Sequence, residues 1–469
     1  VMMTGHLSPP GGAAEPGGFD FQRHAWFLRL GGVGYTRNPV LLLEAPEPGA
    51  MPVFTWRMRL ADAIRDRIEG QPGAFAAAVL TGDRSGLEQG PIQDMRDSNI
   101  AHLLAISGLH MGLLTGFMYA ALRLGLALIP ALALRYPIRK WAAMAALATG
   151  AVYLALSGGN VATERAFIQV AVMFTAVLLD RRAITLRSVA IAAIIVLLHR
   201  PETLMSPGFQ MSFAATTALV AVFNGLTGRP WLQKWPGWVK GLWALVVSSV
   251  VAGGATAPFA AAHFNRIAAY GLAANLMTVP LMGAVVIPFA VVAAFLAPVG
   301  LSWLAFAAME YALIWILGVA AFIAELPGAI RMVPSPPGAV LALIALGGLM
   351  MCLWRGAGRW IGAAPVVLAL ALWMGAERPA LLISSSGGLV GLQTPEGRSL
   401  SRPRGDGFVA GIWLENDGDP SDQDTAAIRP AWTEAEVGQS IQFGPHSLWH
   451  GTGQRAARAA EAACTTHDI

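Results

Sequence analysis

His102-Leu103-Leu104-Ala105-Ile106-Ser107-Gly108-Leu109-His110-Met111-Gly112 opens the first long apolar run of the chain. Two histidines and a serine stand where the run should be wholly apolar, and polar groups at membrane depth are costly enough to need a reason. Gly108, Gly112 and Gly116 recur every fourth residue. On a helix they form one smooth stripe along which a second backbone can approach closely, so they are read as a helix-packing seam. Taken as one helix, His102 and His110 lie about 12 Å apart along its axis. They are too far apart to share a metal ion, but near enough to line one groove.

Working outward, 55% of the 469 residues are hydrophobic and only 13% are charged, against about 25% charged in a soluble domain. Mean hydropathy is +0.54. These values predict an all-α polytopic membrane bundle with small β-rich extramembrane segments at both ends. Roughly ten candidate spans follow from the length criterion, near 101–129, 141–157, 161–179, 186–199, 207–224, 241–258, 271–298, 302–325, 338–353 and 360–376. The seventh contains Pro280 and Pro288, which predicts a kink or a break. Loops holding Arg135, Arg139 and Lys140, then Arg181, Arg182 and Arg187, then Arg229, Lys234 and Lys240, then Arg355 and Arg359, alternate with nearly neutral ones. The positive-inside rule places the basic loops in the cytoplasm, and both ends of the chain outside.

Residues 1–54 are polar and rich in Gly and Pro, with β-like pieces such as Val40-Leu41-Leu42-Leu43. Trp56, Leu60, Ile64 and Ile68 recur every fourth position among charged residues, which makes 55–69 an amphipathic helix. Such a helix lies on the membrane surface or packs on protein, and the sequence allows both. Thr81-Gly82-Asp83-Arg84-Ser85-Gly86 is a turn. No phosphate-loop motif occurs anywhere, which argues against a resident ATPase. After Arg378 the chain is polar again, and 381–383, 388–392 and 407–414 read as strands. Asn416-Asp417-Gly418-Asp419 lacks the spacing of a calcium loop and reads as a turn. His446, His450 and His467 lack an HExxH arrangement, so no metal site and no cofactor is assigned.

The His102 to Gly112 stretch resembles the signature of the ComEC family, membrane channels that pass single-stranded DNA into the cytoplasm during natural transformation. Further motifs follow in that family's order: Pro16-Gly17-Gly18-Phe19-Asp20 with Arg23-His24, Leu80-Thr81-Gly82-Asp83-Arg84-Ser85-Gly86-Leu87, Ala162-Thr163-Glu164-Arg165-Ala166, Gly208-Phe209-Gln210-Met211-Ser212-Phe213 and Ala274-Asn275-Leu276 with Val279-Pro280. The resemblance implies four parts. Residues 1–54 would be the remnant of an N-terminal OB-type domain, 55–100 an amphipathic helix and linker, 101–376 the transmembrane competence channel, and 377–469 a short β-rich periplasmic tail. Many members carry a metallo-β-lactamase-like nuclease, but this chain has no HxHxDH motif. No enzyme activity is therefore expected. The implied partners are single-stranded DNA, the lipid bilayer of the inner membrane, a DNA-delivering receptor outside and a helicase inside.

A strand of DNA needs positive potential, hydrogen-bond donors and aromatic platforms along its path. The candidates are His102, Ser107, His110, Arg165, Gln210, His263 and Asn275, with Arg266 beside them. Each has a plainer role. Ser107 can bond to backbone, Arg165 can pair with Glu164, and the tryptophans near span ends can be interface anchors. Glu310, deep in the eighth span, is the costliest side chain there. It supports the alternative of a proton-coupled secondary transporter of a small solute. A third reading makes Ser107 and His110 a nucleophile and base, but no orienting acid stands near them.

Overall fold

The helices begin where the sequence supplies caps. Asn160 Oδ1 accepts from Thr163 N at 3.0 Å, Thr185 Oγ1 from Ser188 N at 3.1 Å, and Ser206 Oγ from Phe209 N at 3.2 Å with Pro207 in the first turn. Each satisfies an amide that would otherwise enter the bilayer unpaired. The computed structural model describes residues 1–45, 47 and 49–466; His467 lies outside the described residues. Every apolar run forms a helix: Gly108–Ala127, Ile138–Leu156, Val161–Leu178, Leu186–His199, Pro207–Leu226, Gly237–Phe264, Gly271–Leu281 continuing to Ile287–Leu296, Ser302–Ala324, Ala339–Leu353 and Ala363–Met374.

Among the described residues, seven helices are long and apolar enough to cross a membrane. The expected ten is therefore not met on length and composition. Ile138–Leu156 is diluted by Arg139 and Lys140. Leu186–His199 and Ala339–Leu353 have 14 and 15 residues, about 21–22 Å of helix against a hydrocarbon core of about 30 Å. Yet the two ends of the chain meet. Arg378 Nη2 donates to Glu15 Oε2 at 2.6 Å, and Trp413 Nε1 to Ala14 O at 2.8 Å. These contacts put residues 14–15 beside residues 378 and 413 in the folded chain.

The first span begins at Gly108, and His102 stands apart on the 3-10 turn Ala101–Leu103. The single helix expected from 101 is interrupted because Ser107, with extended backbone, is its N-cap. The seventh span is one continuous helix with a π-helical segment at Met282–Val286 between Pro280 and Pro288. Proline removes a helical donor, and the wider turn absorbs the lost register.

Ala61, Ile64 and Ile68 of the amphipathic segment are buried against Gly70–Thr81, whose residues Ala74–Val79 are buried on every side. The Pro52–Arg65 helix thus packs on protein, leaving Trp56 exposed. The main core joins these helices to Met95, Ile100, Met282 and Leu313. At the N-terminus, His6–Ser8 pairs with Val33–Tyr35, and Leu41 makes only a bridge to Met2. In the tail, Leu381–Ile383, Val390–Thr394 and Gly397–Leu400 form one antiparallel sheet. Residues 407–414, expected as a strand, are the helix Gly407–Asp417. Its buried residues Ala410, Trp413 and Leu414 have helical spacing, which the run of apolar residues concealed. The tail is therefore mixed α/β.

Candidate functional site

Because spans alternate in direction, the start of one helix and the end of the next share a face. Every motif that carries the resemblance within residues 80–280 gathers at one such face. The turn at Gly82 (φ 74°) is locked there. A Cβ on Gly82 would sit 2.8 Å from Ser157 O, and Tyr153 Oη donates to Val79 O at 2.6 Å. Arg65 Nη1 donates to Asp83 Oδ2 at 2.5 Å. Burial pushes the Asp83 carboxyl up, but hydrogen bonds from Arg65 and Ser85 outweigh it and hold the group below its ordinary value.

At the signature helix, Ser107 Oγ lies 3.1 Å from His110 Nδ1, and the Ser107 amide donates to the same nitrogen at 3.4 Å. This is a capping box with histidine in the reciprocal place. His110 is completely buried and its Nε2 has no hydrogen-bond partner. The pair locks the start of the helix, whereas His102 is exposed.

The glycine stripe behaves differently from a packing seam. A Cβ at Gly112 or Gly116 meets nothing within 4 Å, while one at Gly108 meets Gln169 Oε1 at 3.6 Å. The close approach is at Gly150, against Thr115 and Phe167. On a helix turning about 100° per residue, Gly112 and Gly116 lie between Gly108, which faces Gln169, and Leu113, which faces Gly283. They lie on the side of their helix between Val161–Leu178 and the seventh span, with open space before them. The neighbouring helices join in succession. Gly108–Ala127 packs on Val161–Leu178 and Ile287–Leu296, Pro207–Leu226 on Gly237–Phe264, and the latter on Gly271–Leu281. Gln169 Nε2 to Ser212 Oγ, at 3.5 Å, links Val161–Leu178 to Pro207–Leu226. Gly253 and Gly254 likewise meet nothing within 4 Å.

Around the same face, Glu164 takes His199 Nε2 at 2.8 Å and Arg200 Nε at 3.1 Å. Arg165, expected to pair with Glu164, makes no ion pair among the described residues. Its guanidinium lies on Gly208, where a Cβ would come within 2.7 Å of Nη1, and its Nε is buried without a partner. Gln210 Oε1 meets His263 Nε2 at 2.8 Å. Arg266 reaches Asp97 at 3.3 Å and Glu415 at 3.4 Å. Asn275 only bonds back to Gly271 O of its own helix, at 2.8 Å. An open groove of about 380 Å³, lined by Phe27, Leu28, Arg29, His199, Arg200 and Glu202, adjoins this cluster.

Thus Gln210 and His263 come together, Arg165 lies close to Gly208 on the same helix as Gln210, and Asn275 stands alone. Gln169 and the Glu164–His199–Arg200 cluster were missed. Their signal was a polar residue within the third span and a histidine closing the fourth. Glu310 is half-buried and makes no hydrogen bond or ion pair among the described residues. Asp417 accepts from Arg378 and Arg398, and Asp419 from Arg429, so both acids of the calcium-like turn are engaged by arginines. No metal-holding group of three His, Cys, Asp or Glu occurs among the described residues.

A family model described as Competence protein matches residues 79–358. The chain belongs to this family. It is 25% identical over 348 residues to ComE operon protein 3 of Bacillus subtilis (strain 168), covering 73% of this chain and 42% of that protein. It is 32% identical over 309 residues to Competence protein ComA of Neisseria gonorrhoeae, covering 62% and 43%. It is 23% identical over 297 residues to Recombination protein 2 of Haemophilus influenzae, covering 61% and 36%. The chain spans less than half the length of these relatives. No solved structure matches it. The matched segment holds the apolar helices from Gly108–Ala127 to Ala339–Leu353, together with Glu164, Arg165, His199, Arg200, Gln210 and His263.

Proposed function

We propose that this chain carries single-stranded DNA across the cytoplasmic membrane during natural transformation. Membership of the Competence protein family, over the segment that forms the ring, is the observation that carries the reading. Three features support it. The ring's glycine faces leave open space between helices. Its polar end holds Gln210 and His263, bonded to each other, beside Arg165, a cation with no ion pair among the described residues, and Gln169 lies deeper in the ring against Ser212. The loops carrying Arg135, Arg139 and Lys140, Arg181 and Arg182, and Arg229, Lys234 and Lys240 lie at the opposite face, and under the positive-inside rule we take that face as cytoplasmic and both ends of the chain as periplasmic. DNA is delivered by a receptor at the polar face and drawn inward by a helicase, since no nucleotide motif occurs here. Ser107 and His110, held together in a helix cap, are read as structural in this proposal.

The test is internalisation in a deletion strain. DNA still binds at the cell surface but no longer reaches the cytoplasm, and full-length protein restores entry. Wild-type entry without the protein ends the proposal. Arg165→Ala and the pair Gln210→Ala/His263→Ala, at matched protein levels in the membrane, test the path; normal entry in both removes it from this face.

A further inference from the structure

The sequence between Glu202 and Glu310 holds no acidic residue, yet Arg229, Lys234 and Lys240 are set within it among Trp231, Trp235, Trp238 and Trp243. This segment joins Pro207–Leu226 to Gly237–Phe264 at the face opposite the polar cluster. Trp231 packs edge-on to Trp235 and Trp243 with ring centroids 5.2 and 5.8 Å apart, and Trp235 lies 6.2 Å from Trp243. The cations are held in place around this trio. Arg229 Nε donates to Gly225 O at 3.1 Å and Lys240 Nζ to Gln233 O at 3.0 Å, while Lys234 is exposed.

Depth follows from length. Gly237–Phe264 has 28 residues, about 42 Å of helix, against a hydrocarbon core of about 30 Å. Its last residues belong to the polar face, so its first two turns extend into the headgroup layer. Direction follows from exposure. Trp238, Leu242, Val246 and Val250 are exposed at 75%, 55%, 36% and 51% and recur every fourth residue. They form one apolar stripe facing lipid, and Trp238 is its headgroup end. The trio's rings are turned edge-on to one another, which withdraws faces from base stacking and favours lipid over an emerging strand.

We propose that Trp231, Trp235, Trp238, Arg229, Lys234 and Lys240 form a binding site for the phosphate headgroup of an anionic phospholipid. The indoles anchor at the headgroup level, where their amphipathic rings are best solvated. The three cations, with no acid beside them, take the phosphate. Each cation near the surface contributes about fivefold in affinity. Lys140, in the loop after the first span, is a contrast, because it is already paired with Asp180 at 2.7 Å.

The test is native mass spectrometry of the full chain in detergent, titrated separately with phosphatidylglycerol, phosphatidylcholine and a short single-stranded oligonucleotide. Wild-type protein retains phosphatidylglycerol over phosphatidylcholine. Lys234→Gln, an exposed substitution that leaves packing intact, weakens retention about fivefold, and Arg229→Gln/Lys234→Gln/Lys240→Gln weakens it on the order of a hundredfold. Lys140→Gln, which removes a cation already paired with Asp180, stays within about twofold of wild type. Equal losses in the two loops reduce the effect to general surface charge and overturn the proposal. So does equal retention of the two lipids. Oligonucleotide binding lost in Lys234→Gln with phosphatidylglycerol binding unchanged assigns the patch to nucleic acid instead.

Discussion

The two faces of the bundle hold charge in different proportions: ion pairs crowd the polar face, while at the basic face Lys140 pairs with Asp180 and Arg229, Lys234 and Lys240 have no acid in their own segment. At the polar face, Glu164 binds His199 and Arg200, Arg65 binds Asp83, and Arg266 reaches Asp97 and Glu415. At the basic face, Arg229, Lys234, Lys240, Arg355 and Arg359 lie on segments with no acid, beside tryptophans; Arg359 sits over the Trp360 ring at 5.3 Å. Paired charges cost less to hold in fixed geometry, and they give a face its shape. Unpaired charges give a face its potential. The polar face is built as a structure, the basic face as a field.

The pairing at the polar face is deepest where the tail meets the N-terminal segment. Arg398 is fully buried and binds Asp417 at 2.6 Å. Arg398→Ala should destabilise the tail by about 3–5 kcal/mol, because Asp417 loses one of its two arginines in a buried site. The loss should appear as early proteolysis within 377–466 while residues 101–376 stay protected. Gly208→Val drives a side chain into the Arg165 guanidinium. It should cost about 1–3 kcal/mol and abolish transformation, with Gly112→Val, into open space, far milder in stability. Equal melting of the two would erase the distinction between packed and open glycines. Ser107→Ala removes the cap of the signature helix and should lower stability by about 1 kcal/mol, with Ser107→Asn restoring most of it.

Acidification is a smaller effect. The Asp83 carboxyl is held below its ordinary value of 3.8. Its contribution is therefore complete above the unfolded value and is lost as pH falls through the lower folded one. Wild-type protein should lose stability between about pH 4 and the acid limit more steeply than Asp83→Asn, measured by thermal melting across that window. Smallest of all, Glu310→Gln should leave transformation unchanged, since no partner depends on its charge. Lost transformation would revive the proton-coupled reading.

The bundle was legible in its apolar runs. These announce the spans, and the caps at Asn160, Thr185 and Ser206 that start three of them came only with the structure. The contacts among the candidate residues were not legible. Gln210 and His263 lie 53 positions apart, and no spacing rule joins them. The signature stretch was misread in two physical respects. Its serine and second histidine are consumed by a cap, and its glycines face a gap. Period alone says that Gly108, Gly112 and Gly116 share a side, not what stands opposite. The Gly407–Asp417 helix was hidden because an unbroken apolar run has no period to read.

The contact between Glu15 and Arg378 spans 363 positions. During synthesis at about 5–20 residues per second, Glu15 waits roughly 20–70 s for that partner. Until then its carboxylate, only 5% exposed in the finished molecule, must stay in water, and the N-terminal segment has nothing to close against. The contact between Glu15 and Arg378 therefore forms only after all the intervening helices have been made.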